Sequence, residues 1–211
     1  MSDFEKARQL IKEFKGDRYA FGFGVLDQTG AMVSEMGKQV ATVCTAYPGS
    51  DELLSRVKAN LEAAGLIVLD CLEGARPNAP REDVARLADE IRKLNPQVTV
   101  VIGGGSTIDA GKAAEVLRTL GGDIEEYFGT GKVTEALTKS GKTLNPVVAI
   151  QTAASSGAHL TKYSNITDLE TGQKKLIVDE AIVPPRAIFD YSVTLSMPVS
   201  LTTDGALDGI A

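Results

Sequence analysis

Through the middle of this 211-residue chain, short apolar runs of strand length alternate with amphipathic segments of helix length, and that rhythm restricts the fold most. Val40–Thr45 (VATVCT), Leu66–Asp70 (LIVLD), Val98–Ile102 (VTVVI) and Val147–Thr152 (VVAIQT) are mostly apolar and rich in β-branched residues. Runs of this kind suit strands buried on both faces. Helical segments separate them. One starts at the Pro-Gly-Ser-Asp turn at 48–51, sets Leu54, Val57 and Leu61 on one face and stops at Gly65. A second spans Arg81–Leu94, with Val84, Leu87, Ala88, Ile91 and Leu94 in helical register, and a third runs from about Ser106 to Leu120. Elements in this order form βαβ units, and so a parallel sheet with helices on both faces. Tyr19–Gly24 adds a short strand, and Phe4, Ala7, Ile11 and Phe14 mark a surface helix at the start. Lys162–Thr167 and Lys174–Val178, flanking Asp168-Leu169-Glu170-Thr171-Gly172, read as a β-hairpin. The expected class is α/β: a Rossmann-like parallel sheet with flanking helices plus a β-hairpin.

Composition removes several functions. A net charge of −6 without a basic run argues against a nucleic-acid partner. No window approaches the ~18 consecutive apolar residues of a membrane span. The opening MSDFEKARQLIKEF is charged throughout, so no secretory signal is expected. Two cysteines, Cys44 and Cys71, make no disulfide scaffold, and a reducing, cytoplasmic setting is expected. The chain has one histidine, His159, so it cannot complete a site that needs two or more imidazoles.

The sharpest local feature is Ile102-Gly103-Gly104-Gly105-Ser106-Thr107-Ile108-Asp109-Ala110-Gly111-Lys112, at a strand-to-helix junction. Three glycines let the backbone approach a ligand, and Ser106 adds a hydroxyl where unpaired helix N–H groups favour phosphate. The carboxyl end of a parallel strand is also where a pyrophosphate is expected. Two better-known phosphate motifs do not fit: Ala113 follows Lys112, and Ile108 stands where G-x-G-x-x-G needs glycine. The plainer alternative is a tight strand-to-helix turn with close packing. Asp109 and Lys112, three apart, would on the same plain reading form a surface ion pair.

Gly103–Lys112 resembles the GGGSxxDxAK signature of the iron-containing (group III) alcohol dehydrogenases. Phe21-Gly22-Phe23-Gly24 is similar to that family's early FGxG, and Glu73–Pro80 (EGARPNAP) to its PNP-like loop. Ile166–Lys174 is similar to its ITDxETGxK hairpin, and Ala187–Thr202 to the run leading into its metal helix. The resemblance implies a dehydroquinate synthase-like N-terminal nucleotide-binding domain over residues 1–195. Residues 196–211, a proline-led helix start, would then begin a truncated all-helical domain. It also implies NAD or NADP as cofactor and Fe2+ or Zn2+ as metal. The substrate would be a small alcohol or its aldehyde or ketone, and the assembly a homo-oligomer.

Residue by residue, the resemblance puts the pyrophosphate on Gly103, Gly104, Gly105 and Ser106, with Asp109 toward the nicotinamide side. Thr152-Ala153-Ala154-Ser155-Ser156-Gly157-Ala158-His159 stands where the family has a second glycine-rich stretch, which makes Thr152 and Ser156 candidates for cofactor hydrogen bonds. Lys174 matches a lysine that reaches the cofactor ribose, although by itself it reads as a solvated turn residue. Thr45 stands where many members carry an Asp that accepts from the ribose hydroxyls. Its uncharged hydroxyl leaves NAD and NADP both open. Asp208 takes the place of the family's Asp metal ligand, the next ligand falling at position 212; on the plain reading it is a solvated helix residue. His159 replaces the family's usual Glu, either as a half-buried residue with a backbone partner or as an imidazole at the cofactor's edge. The resemblance leaves glycerol, glycerol-1-phosphate or dehydroquinate synthase-like chemistry on the same scaffold open, and so too a non-catalytic nucleotide-binding module.

Overall fold

The computed structural model describes residues 2–155 and 157–208. Its first half contains α1 (Asp3–Lys15), β1 (Tyr19–Gly22), α2 (Thr29–Ser34), β2 (Gln39–Cys44), α3 (Ser50–Ala63), β3 (Ile67–Glu73), α4 (Arg81–Leu94) and β4 (Val98–Gly103). There follow α5 (Gly105–Leu120), β5 (Gly129–Thr130), α6 (Lys132–Ser140), β6 (Val147–Gln151), β7 (Tyr163–Thr167), β8 (Lys174–Val178), β9 (Ala187–Asp190) and α7 (Val199–Asp208). Six strands form one sheet in the order β1-β9-β6-β4-β2-β3, with every pairing parallel. A smaller sheet, β5-β8-β7, contains the expected antiparallel hairpin, with Thr167 facing Lys174.

Side-chain alternation along the central strands divides the core into two layers. Val43, Val101 and Ala149 pack with Leu87 and Ile91 of α4 and Ile108 and Ala113 of α5. Cys44, Val100, Ile102, Val148 and Ile150 pack on the other face with Leu53, Val57 and Leu61 of α3. Both faces are therefore covered, which explains why β4 is buried at all six positions. Helix α5 is enclosed from Thr107 through Leu117, because α4 flanks it and β7 is bonded to it at Asp109.

Several boundaries differ from the sequence expectation. β1 ends at Gly22 rather than Gly24, because the Gly24 and Leu26 N–H groups turn in to donate to the Asp190 carboxylate at 3.2 and 3.0 Å. β3 runs on to Glu73, held by pairing with β2 as far as Cys44. The four-residue β9, inserted between β1 and β6, was not expected as a strand, and neither α6 nor the two-residue β5 was anticipated. α1 forms with a Ser2/Glu5 capping box, but none of its residues is buried, and Phe4 is 85% exposed. Among the described residues no helix is long and apolar enough to cross a membrane.

Candidate functional site

The chain reverses direction across the sheet between β2 and β4. From β2 it passes through α3 to β3 on one side, then through α4 to β4 on the other. Connections that diverge in this way leave a crevice at the carboxyl ends of the two strands, the usual ligand position in open α/β sheets. The Thr45 N–H donates to the Ile102 carbonyl at 3.2 Å and pins the floor of this crevice.

The first turn of α5 opens into it. Gly104 is the N-cap and contributes no side chain, so no side-chain cap satisfies the turn. The first intrahelical bond runs from the Ile108 N–H to the Gly104 carbonyl at 3.1 Å, which leaves the Gly105, Ser106 and Thr107 N–H groups without helical acceptors. Together with the helix dipole, unpaired N–H groups of this kind favour an anion. The glycines have different reasons to be there. At Gly103 a β-carbon would stand 2.8 Å from both the Thr107 β-carbon and the Thr45 hydroxyl, so glycine is required for packing. At Gly104 a β-carbon would meet only the Ala153 β-carbon, at 3.8 Å. Glycine there keeps open space in front of the helix, as a pyrophosphate needs.

Three further segments surround this turn. The Thr152 N–H donates to the Gly103 carbonyl at 3.0 Å, which draws the loop after β6 alongside; Thr152 is buried, and Ser156 lies outside the described residues. The Thr45 hydroxyl is hydrogen-bonded to that of Thr107, so it is engaged with α5. The third segment is the loop before α4: the Asn78 N–H donates to the Ser106 hydroxyl at 3.0 Å, and the Thr167 hydroxyl donates to the Asn78 carbonyl at 2.7 Å. Asn78, Thr107 and Thr167 were not among the residues singled out from sequence. Asn78 had been visible only as part of the PNP-like loop. Lys174 stands exposed across the hairpin from Thr167.

Asp109 and Lys112 do not form a surface ion pair. Both are buried, because β7 lies over the face of α5 that carries them. The Lys112 Nζ donates to the Thr161 and Tyr163 carbonyls at 2.9 Å each, and Asp109 Oδ2 accepts from the Asn165 N–H at 3.0 Å. Burial lowers the Lys112 ammonium to about 8, partly offset by Asp109, and raises the Asp109 carboxyl. His159 is also buried, and its partner is not a backbone group: Nε2 lies 3.1 Å from the Tyr19 hydroxyl. Burial first, then the nearby Lys112 charge, lowers its pKa to about 4, which makes it a neutral imidazole.

Asp208 closes α7, and its side chain lies outside the described part of the structure. Among the described residues no group of three His, Cys, Asp or Glu side chains is placed to hold a metal ion.

Residues 16–191 match the family model for iron-containing alcohol dehydrogenase. The chain is 31% identical over 191 residues to the NAD-dependent methanol dehydrogenase of Bacillus methanolicus, covering 90% of this chain and 48% of that protein. It is likewise 31% identical over 192 residues to alcohol dehydrogenase 4 of Saccharomyces cerevisiae (strain YJM789), with the same coverage of each. Among solved structures, a 1,3-propanediol oxidoreductase superposes with a TM-score of 0.81 at 26% identity, covering 92% of this chain and 49% of that one. The chain spans about half the length of the curated relatives it matches. Sequence and fold agree on one lineage, and the chain belongs to the iron-containing alcohol dehydrogenase family.

Proposed function

We propose that this chain binds NAD or NADP in the crevice between β2 and β4 and serves as the dinucleotide-holding part of an alcohol oxidoreductase. The observation that carries this is the uncapped first turn of α5 behind the open space at Gly104. In this reading Gly103, Gly104, Gly105 and Ser106 hold the pyrophosphate through backbone N–H groups and the Ser106 hydroxyl. Thr152 and Ser156 bind elsewhere on the cofactor, Lys174 reaches its ribose, and Asp109 supports the nicotinamide side from within. Thr45 presents no carboxylate to a 2′-phosphate, so neither NAD nor NADP is repelled there.

The bound nicotinamide supplies the hydride acceptor or donor for an alcohol carbon or its aldehyde or ketone. The chain's own share is orientation: a fixed anion site and a second loop hydrogen-bonded to it at Gly103 and Thr152. Residues 1–195 form the dinucleotide unit, and residues 196–211 open a helical unit in which Asp208 offers one carboxylate to a divalent metal. The resemblance implies histidines as the family's other metal ligands, and the one histidine of this chain is held inside against Tyr19. By itself the chain is therefore expected to bind nucleotide weakly and not to turn over alcohol.

Titration with NADH and NADPH, followed by coenzyme fluorescence, tests the reading. Saturable binding displaced by ADP supports it. Absence of saturable binding for both coenzymes overturns it, and alcohol-dependent NAD(P)H formation by this chain overturns the assignment of a binding role alone.

A further inference from the structure

We propose that Thr167, on the hairpin and outside the crevice, is a positioning residue for the bound pyrophosphate. Acting through Asn78, it fixes which way the Ser106 hydroxyl donates. The inference rests on the pyrophosphate reading above.

Asn78 and Ala79 both adopt positive φ, +66° and +48°. L-residues visit this left-handed region rarely; Asn tolerates it better than Ala. Two such residues in succession persist only where neighbours hold them. The Ala79 N–H donates to the Arg76 carbonyl at 3.1 Å, and Thr167 supplies two further bonds to the pair. The Thr167 hydroxyl donates to the Asn78 carbonyl at 2.7 Å, and the Thr167 N–H donates to the Ala79 carbonyl at 3.0 Å. Thr167 is itself buried, and its strand β7 is tied to α5 by Ser164 Oγ on the Asp109 carbonyl and by the Asn165 N–H on the Asp109 carboxylate.

The consequence falls on Ser106. With the loop so held, the Asn78 N–H points at the Ser106 hydroxyl oxygen at 3.0 Å. A hydroxyl has one hydrogen to donate and two lone pairs to accept with. Ser106 accepts from Asn78, so its hydrogen remains for an acceptor in front of α5, where the first-turn N–H groups also point. Without the Thr167 hydroxyl the left-handed pair can relax, the Asn78 N–H turns away, and the Ser106 hydroxyl rotates freely. Thr167 would then act on phosphate affinity without touching phosphate.

The test compares wild type with Thr167→Val, Thr167→Ser, Ser106→Ala and the Thr167→Val/Ser106→Ala double variant. Each is titrated with NADH, and ADP and adenosine are used as displacing ligands. The expectation is that Thr167→Val weakens NADH and ADP by about tenfold, that Thr167→Ser stays within about threefold of wild type, and that adenosine changes little. The double variant should bind ADP no more weakly than Ser106→Ala alone, because both changes remove one interaction. Independent, additive losses in the double variant overturn the proposal, as does an equal loss for adenosine, which would indicate a general loosening of the site. If Ser106→Ala leaves ADP affinity unchanged, the pyrophosphate reading itself fails.

Discussion

The Lys112 ammonium lies 3.8 Å from the Asp109 carboxylate on the preceding turn of α5, and both side chains are enclosed under β7. Lys112 is held chiefly by the Thr161 and Tyr163 carbonyls, so it fastens the hairpin to the helix that carries the candidate anion site. Replacing it with methionine keeps the volume but strands two carbonyls and leaves a buried carboxylate uncompensated. Lys112→Met should cost about 3–5 kcal/mol of unfolding free energy. The double variant Lys112→Met/Asp109→Asn should recover part of that, since no charge is then buried alone. Urea denaturation at neutral pH measures both, and equal stability of the single and double variants would show that the charge is not what matters.

His159 should shape the acid limb of stability. Its folded pKa is lowered to about 4 against an ordinary 6.5. Between those values the unfolded chain holds a proton that the folded chain does not. Unfolding is therefore favoured as pH falls through this window, and the stability is fully present above about 6.5. The differential amounts to roughly 2–3 kcal/mol by pH 4. His159→Phe keeps an aromatic ring against Tyr19 and Phe189 and removes the titration. The gap between wild-type and variant stability curves should therefore narrow or reverse from pH 7 to pH 4. Parallel curves would mean that His159 does not titrate in this range.

What could be read from sequence follows how local each signal is. α4 was legible to its ends, because its apolar stripe repeats at helical spacing and Asn95 closes it in a left-handed conformation. β4 and the glycine turn were legible because a fully buried strand leaves a mostly apolar, β-branched run. α6 was not, since it is only nine residues long and Val133 is its one buried residue. β5, only two residues long, exists through pairing with β8. At the site, Gly103–Ser106 announced themselves, whereas Thr167 and Asn78 meet across 89 positions of sequence. Lys112 looked like a surface charge because nothing in α5 itself reveals that β7 covers that face.

Gly103 and Gly104 should respond oppositely to alanine. At Gly103 the new methyl would press on Thr107 and Thr45, so Gly103→Ala should lower stability by about 1–3 kcal/mol through overpacking. At Gly104 the methyl meets ordinary contact distances, so stability should stay within about 0.5 kcal/mol of wild type. It would, however, occupy the approach to the α5 first turn, and NADH affinity should fall roughly tenfold or more. Thermal melts beside NADH titrations separate the two effects. A Gly104→Ala protein that binds NADH normally would remove this turn as the pyrophosphate site.

Gly205 packs α7 against the loop that follows β6. It is buried on an otherwise exposed stretch of helix, and a β-carbon there would overlap the Ala154 carbonyl oxygen. Backbone thus rests on backbone, two residues beyond Thr152. Any side chain at 205 must lift the helix or push the loop, and the loop is bonded to Gly103 through the Thr152 N–H. Gly205→Ala should therefore speed amide exchange across 199–207 and weaken NADH by about three- to tenfold. Ala206→Ser, one position along on the exposed side, should do neither. Hydrogen exchange and NADH titration on the same samples tell whether the two effects travel together. Faster exchange with unchanged NADH affinity would mean that α7 and the cofactor loop are packed against each other but not coupled in binding.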